Sequence, residues 1–152
     1  MLYYNEILPN IWWIYTDNNT ELTIDEQQFL NKFTSHHKIN SCIKIDKYCN
    51  FWNRSNQFIF DIKKQIEKHE EDSLKKLCIN ISKIMMNNYI NSTKTLVYSN
   101  KYNDLCLIVW VYLFKAYADI PYINIIDSLV LKLKTTIVIG EKEKRFIKLF
   151  LS

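Results

Sequence analysis

Apolar and polar positions along the chain change period several times, and each change marks an element. Residues 6–15, E-I-L-P-N-I-W-W-I-Y, alternate as a pair of strands would, with Pro9 breaking the run where an edge loses a ladder hydrogen bond. Thr23, Ile24, Asp25 and Glu26 have the spacing of a helix capping box. Phe29, Leu30 and Phe33 then give that helix an apolar side. Ile39, Ile43 and Ile45 predict a short strand ending at Asp46. Phe51 and Trp52, followed by residues 58–62, read as a further strand and its approach. Asp72 or Ser73 caps a second helix, in which Leu74, Leu77, Cys78, Ile81 and Met85 recur on one face. Residues 87–93 read as the turn after it and residues 95–98 as a strand. Residues 105–114 are apolar on every face, which in a soluble domain predicts a helix buried all round. Pro121 starts another helix, with Ile126, Leu129, Val130 and Leu133 on one face, and Gly140 precedes a last one carrying Phe146, Ile147 and Phe150.

Strands come first and alternate with helices, while helices dominate the second half. That order predicts an α/β fold with a central, mostly parallel sheet flanked by helices. No Pro/Gly/Ser-rich linker or internal repeat interrupts the chain, so residues 1–152 are expected to form a single domain. At 152 residues and 48% apolar, the chain can bury a normal core, and a disordered reading fails.

The net charge of +4 is spread along the sequence rather than gathered into a basic stripe, which argues against a nucleic-acid partner. Residues 105–114 are too short to span a bilayer, which needs about 20 residues, and no membrane partner is expected. Residues 1–15 carry Glu6 and lack the basic start of a secretory signal. Cys42, Cys49, Cys78 and Cys106 form no C-x-x-C pair, so reduced thiols in an intracellular, cytoplasmic setting are expected, with no metal and no cofactor. Asn, Ile, Lys and Tyr are abundant, and of the 20 basic residues only Arg54 and Arg145 are arginine. Such a bias fits an A/T-rich genome, as in some large DNA viruses and parasites, and a viral source would make the protein virion-associated.

Candidate chemistry lies in residues 95–114, T-L-V-Y-S-N-K-Y-N-D-L-C-L-I-V-W-V-Y-L-F, which run from a strand through a polar loop into the apolar helix. In that layout backbone N–H groups at a helix N-terminus can hold an anion. With the opening E-I-L-P-N-I-W-W-I, the helix and strand of residues 72–98, and the tail I-I-D-S-L-V-L-K-L-K-T-T-I-V-I-G followed by F-I-K-L-F, it resembles the cysteine-dependent dual-specificity protein phosphatases. The resemblance covers most of the chain as pattern and implies their α/β fold. Their signature, H-C-x5-R-[ST], is degenerate here. Tyr98 falls at the histidine position and Ser99 at the cysteine position, and the arginine falls near Asp104 or Leu105. The loop Tyr98, Ser99, Asn100, Lys101, Tyr102, Asn103, Asp104 contains no glycine, and the stretch is about one residue short. The family's first strand commonly ends in a glycine that this chain lacks.

The resemblance therefore implies a catalytically inactive member, a pseudophosphatase, and no enzyme. A serine hydroxyl is mostly protonated and needs a base to attack, and an aspartate at the mouth repels phosphate where an arginine would grip it. Tyr98 and Tyr102 are expected to fill the vacated pocket. The family's general-acid loop corresponds to residues 67–72, E-K-H-E-E-D, which read as a solvated turn with Asp72 as helix cap rather than as a working acid on His69 or a carboxylate.

A protein-binding, scaffold or structural role is the expected function, with a protein partner or a second copy in a homodimer. Trp12 and Trp13 are adjacent on one strand and point to opposite faces, so one indole is expected at an interface. Two alternatives remain: a phosphate- or RNA-binding module using the loop amides and Lys101, and a residual phosphatase of unusual chemistry using Ser99 or a nearby carboxylate. An RNA 5′-triphosphatase of the same fold would lack the same cysteine and arginine. His36 and His37 sit where a helix ends and cations suit the dipole, and with Cys42 and Cys49 they fall short of a convincing metal site. Lys142, Lys144, Arg145 and Lys148 alternate with Glu141 and Glu143 as a solvated helix face.

Overall fold

The computed structural model describes residues 2–16, 22–45, 57–60, 71–100, 103–121, 124–125 and 127–128, with side chains omitted at 71–74 and 103–105. In chain order the elements are β1 (Leu2–Leu8), β2 (Ile11–Thr16), α1 (Ile24–His36), β3 (Ser41–Lys44), β4 (Gln57–Ile59), α2 (Glu71–Ile90), β5 (Thr95–Ser99) and α3 (Asn103–Ala118). They group into two compact units, residues 1–62 with 87–102, and residues 63–86 with 103–152.

The first unit holds a five-stranded sheet in the order β1-β2-β5-β3-β4. Only β1 runs antiparallel to its neighbour; β2, β5, β3 and β4 are parallel. This is the mostly parallel α/β sheet that the order of elements predicted. At the hairpin, Pro9 falls in the turn, and Asn10 takes a left-handed conformation at φ 68° that asparagine tolerates. The Asn10 N–H donates to Glu6 Oε2 at 3.3 Å, and a bulge between Glu6 and Leu8 ends the regular ladder.

The strand β5 lies in register with β2 on one side and β3 on the other. Val97 is level with Trp13 and Ile43, and Tyr98 with Ile14 and Lys44. Alternation then sorts the side chains. Ile14, Cys42, Leu96 and Tyr98 share one face, where Leu30 and Phe33 of α1 join them with Leu22 and Ile39 in a cluster. Ile11, Trp13, Tyr15, Ile43, Val97 and Ser99 take the other face and are also buried. Burial on both faces is why T-L-V-Y-S carries no strict polar alternation.

The capping box of α1 forms as its spacing required. Thr23 Oγ1 accepts from the Glu26 N–H at 3.2 Å, and Glu26 Oε1 accepts from the Thr23 N–H at 3.1 Å. Both α1 and α2 end in Schellman geometry. At α1, the Ile39 N–H bonds to Thr34 O and the Lys38 N–H to Ser35 O; at α2, the Thr93 N–H bonds to Asn88 O and the Ser92 N–H to Tyr89 O. The left-handed residues are Lys38 (φ 53°) and Ser92 (φ 55°), positions where glycine is usual.

Two boundaries of α2 differ from the sequence expectation. Asp72 and Ser73 lie inside the first turn, not at the cap, a shift of the size that frayed helix ends allow. At the other end the helix continues through residues 87–90, which had read as a turn. Asn88 explains the extension. It is 8% exposed, and its Nδ2 donates to Ser41 Oγ at 3.2 Å and Thr95 Oγ1 at 3.1 Å, pinning the helix end to the first residues of β3 and β5. These tertiary bonds outweigh asparagine's weak helix propensity.

In the second unit, Leu77, Cys78, Ile81 and Met85 of α2 are buried, as is every residue of α3 from Cys106 to Val111. The helix α3 runs past the predicted end to Ala118 and stops at Asp119, another left-handed residue. Among the described residues no helix is long and apolar enough to cross a membrane. The Ile125 N–H bonds to Pro121 O at 3.2 Å, in keeping with a helix starting at Pro121. The expectations at Asp46, Phe51, Trp52, residues 61–62, Ile126 and residues 129–150 lie outside the described residues.

Glycine at a left-handed cap removes a steric cost of about 1 kcal/mol. Ser92→Gly is therefore expected to raise the unfolding free energy by about that amount in urea titration. An unchanged or lower midpoint would show that the Ser92 conformation carries no such cost.

Candidate functional site at the end of strand β5

The signature-like segment begins inside the sheet. Ser99, expected as the first loop position, is the last residue of β5 and pairs in register with Tyr15. Since successive residues of a strand face opposite ways, Tyr98 and Ser99 part company here. Tyr98, 1% exposed, joins Ile14, Leu30 and Phe33 on the α1 face. It points away from Ser99, as alternation along one strand requires, rather than filling a pocket around it as expected, and Tyr102 lies outside the described residues.

Ser99 faces the other side and is completely buried. The indole Nε1–H of Trp13 donates to Ser99 Oγ at 2.9 Å, across 86 residues of sequence. Trp13 is itself fully buried, with its ring 4.8 Å from that of Tyr15, which stacks at 5.1 Å on Tyr3. The Ser99 hydroxyl thus sits among aromatic rings and serves as an acceptor. An indole N–H only donates, so it cannot take the serine's proton.

Beyond Ser99, Asn100 is half-buried, and Lys101 and Tyr102 lie outside the described residues. Asn103 and Asp104 are the first residues of α3. An acidic residue in a first helical turn complements the dipole. Glu71 and Asp72, from the segment compared with the general-acid loop, open α2, and residues 67–70 lie outside the described residues.

The two tryptophans part to opposite faces of the sheet, as alternation along β2 requires. The strand β2 is interior, with β1 on one side and β5 on the other, and Trp13 is fully enclosed. Trp12 is half-buried on the α1 face, its ring 5.1 Å from Phe33 and 4.6 Å from His37. His37 caps the end of α1 and packs against Phe33 at 4.3 Å, and His36 is the last residue of the helix. Among the described residues no three His, Cys, Asp or Glu side chains gather as metal ligands.

Cys42, Cys78 and Cys106 are buried thiols, and Cys49 lies outside the described residues. Burial pushes the Cys78 thiol from 9.0 up to about 12, so it stays protonated near neutrality and is no thiolate nucleophile. The nearby Tyr112 phenol is also raised, first by burial and then by Tyr117 and Cys78.

Sequence reasoning missed two features at this end of the sheet. The Trp13–Ser99 bond joins residues that no local pattern connects. Lys44, 3% exposed at the end of β3 beside Tyr98, had read simply as part of an isoleucine strand. Its burial had no signal in the alternation of Ile43 and Ile45.

No protein-family model matches the chain, and no curated protein does. Among solved structures, a Leishmania major protein described as a protein tyrosine phosphatase is similar over 92% of this chain and 88% of its own, with a TM-score of 0.52 and 11% sequence identity. At that identity the likeness is one of fold. The chain has a phosphatase-like α/β fold.

The raised Cys78 pKa makes a linkage prediction. The unfolded chain releases this proton near pH 9 and the folded chain only near 12, so stability present below pH 9 is lost as pH rises through that window. The loss is about 1.4 kcal/mol per pH unit at most. Cys78→Ala is expected to unfold more easily at pH 8 but to lose less stability on moving to pH 10.5 than the parent. Parallel pH profiles for the two proteins would contradict the assignment.

Proposed function

We propose that the protein is a catalytically inactive phosphatase-like chain, a pseudophosphatase, that acts by binding protein as a scaffold or structural component. The observation that carries this reading is the hydrogen bond from Trp13 to Ser99. Phosphoryl transfer in this fold needs a deprotonated nucleophile at that position, reachable from solvent and facing a gripped phosphate. Here the position holds a hydroxyl, enclosed and engaged by an indole. No arginine occurs between Arg54 and Arg145 to clamp a phosphate bidentately. The buried thiols support a reducing, intracellular setting, and the scarcity of arginine supports a source with an A/T-rich genome, such as a large DNA virus.

The fold is maintained by buried contacts that a loss of catalysis leaves untouched, so a binding role can persist on the same scaffold. The expected result is no hydrolysis of p-nitrophenyl phosphate above buffer at any pH from about 5 to 8. Ser99→Cys alone is expected to stay silent as well, because a thiol in an aromatic enclosure without arginine has nothing to hold the phosphate. Turnover by the parent chain that disappears in Ser99→Ala would overturn the reading.

A further inference from the structure

We draw no further inference here: the strongest candidate, the exposed aromatic patch that Tyr4 of β1 and Phe29 of α1 form beside Phe33, carries nothing, because no feature of the structure shows what covers it.

Discussion

The organisation of the first unit depends on β5 being held in parallel register between β2 and β3. That placement buries a five-residue strand on both faces and leaves its polar ends in need of partners. Buried hydroxyls without hydrogen bonds are costly, and each end of β5 carries one. At the start, Thr95 Oγ1 accepts from Asn88 and donates to Thr93 O. At the finish, Ser99 Oγ accepts from Trp13. Thr95 and Ser99 are four residues apart and share a face, so one side of the strand is fixed by polar contacts at both ends. Tyr98 and Leu96 anchor the opposite side in the apolar cluster with α1.

The same constraint decides what the signature-like segment can do. Here the strand keeps its register through Ser99 and uses the side chain as structure. Trp13 supplies an enclosing ring and a neutral donor, and Tyr15 and Tyr3 extend the aromatic layer. Freeing the hydroxyl would break a buried hydrogen bond and leave an indole N–H without its acceptor, at about 1–3 kcal/mol. The inward indole and the inward serine hold the end of β5 by one buried hydrogen bond.

Much of the fold was legible in the sequence, because its signals were local. The Thr23–Glu26 capping box, the Pro9-interrupted hairpin, the one-sided spacing from Leu77 to Met85 and the all-round apolar run of α3 each encode their own element. The order of these elements was enough to indicate a mostly parallel sheet. The candidate site was less legible. The strand–loop–helix layout drew attention to Ser99, but the environment of Ser99 depends on a residue 86 positions away. The strand runs one residue further than expected, so Ser99 is a buried strand residue rather than the first of a loop. Trp13 is enclosed because the sheet face it shares with Ile11, Tyr15 and Ser99 is buried, which the local sequence does not show. The α2 extension through Asn88 was hidden for a similar reason, because its amide bonds to strands that the local sequence cannot see.

The Ser99 hydroxyl at the end of β5 is committed to Trp13. A double-mutant cycle in equilibrium unfolding, using Trp13→Phe, Ser99→Ala and the combined variant, isolates that commitment from the packing changes in each single variant. The account predicts a coupling energy of about 1 kcal/mol, with the second substitution costing less once the first is present. Additivity within about 0.3 kcal/mol would show that the two side chains do not support each other, and would contradict it.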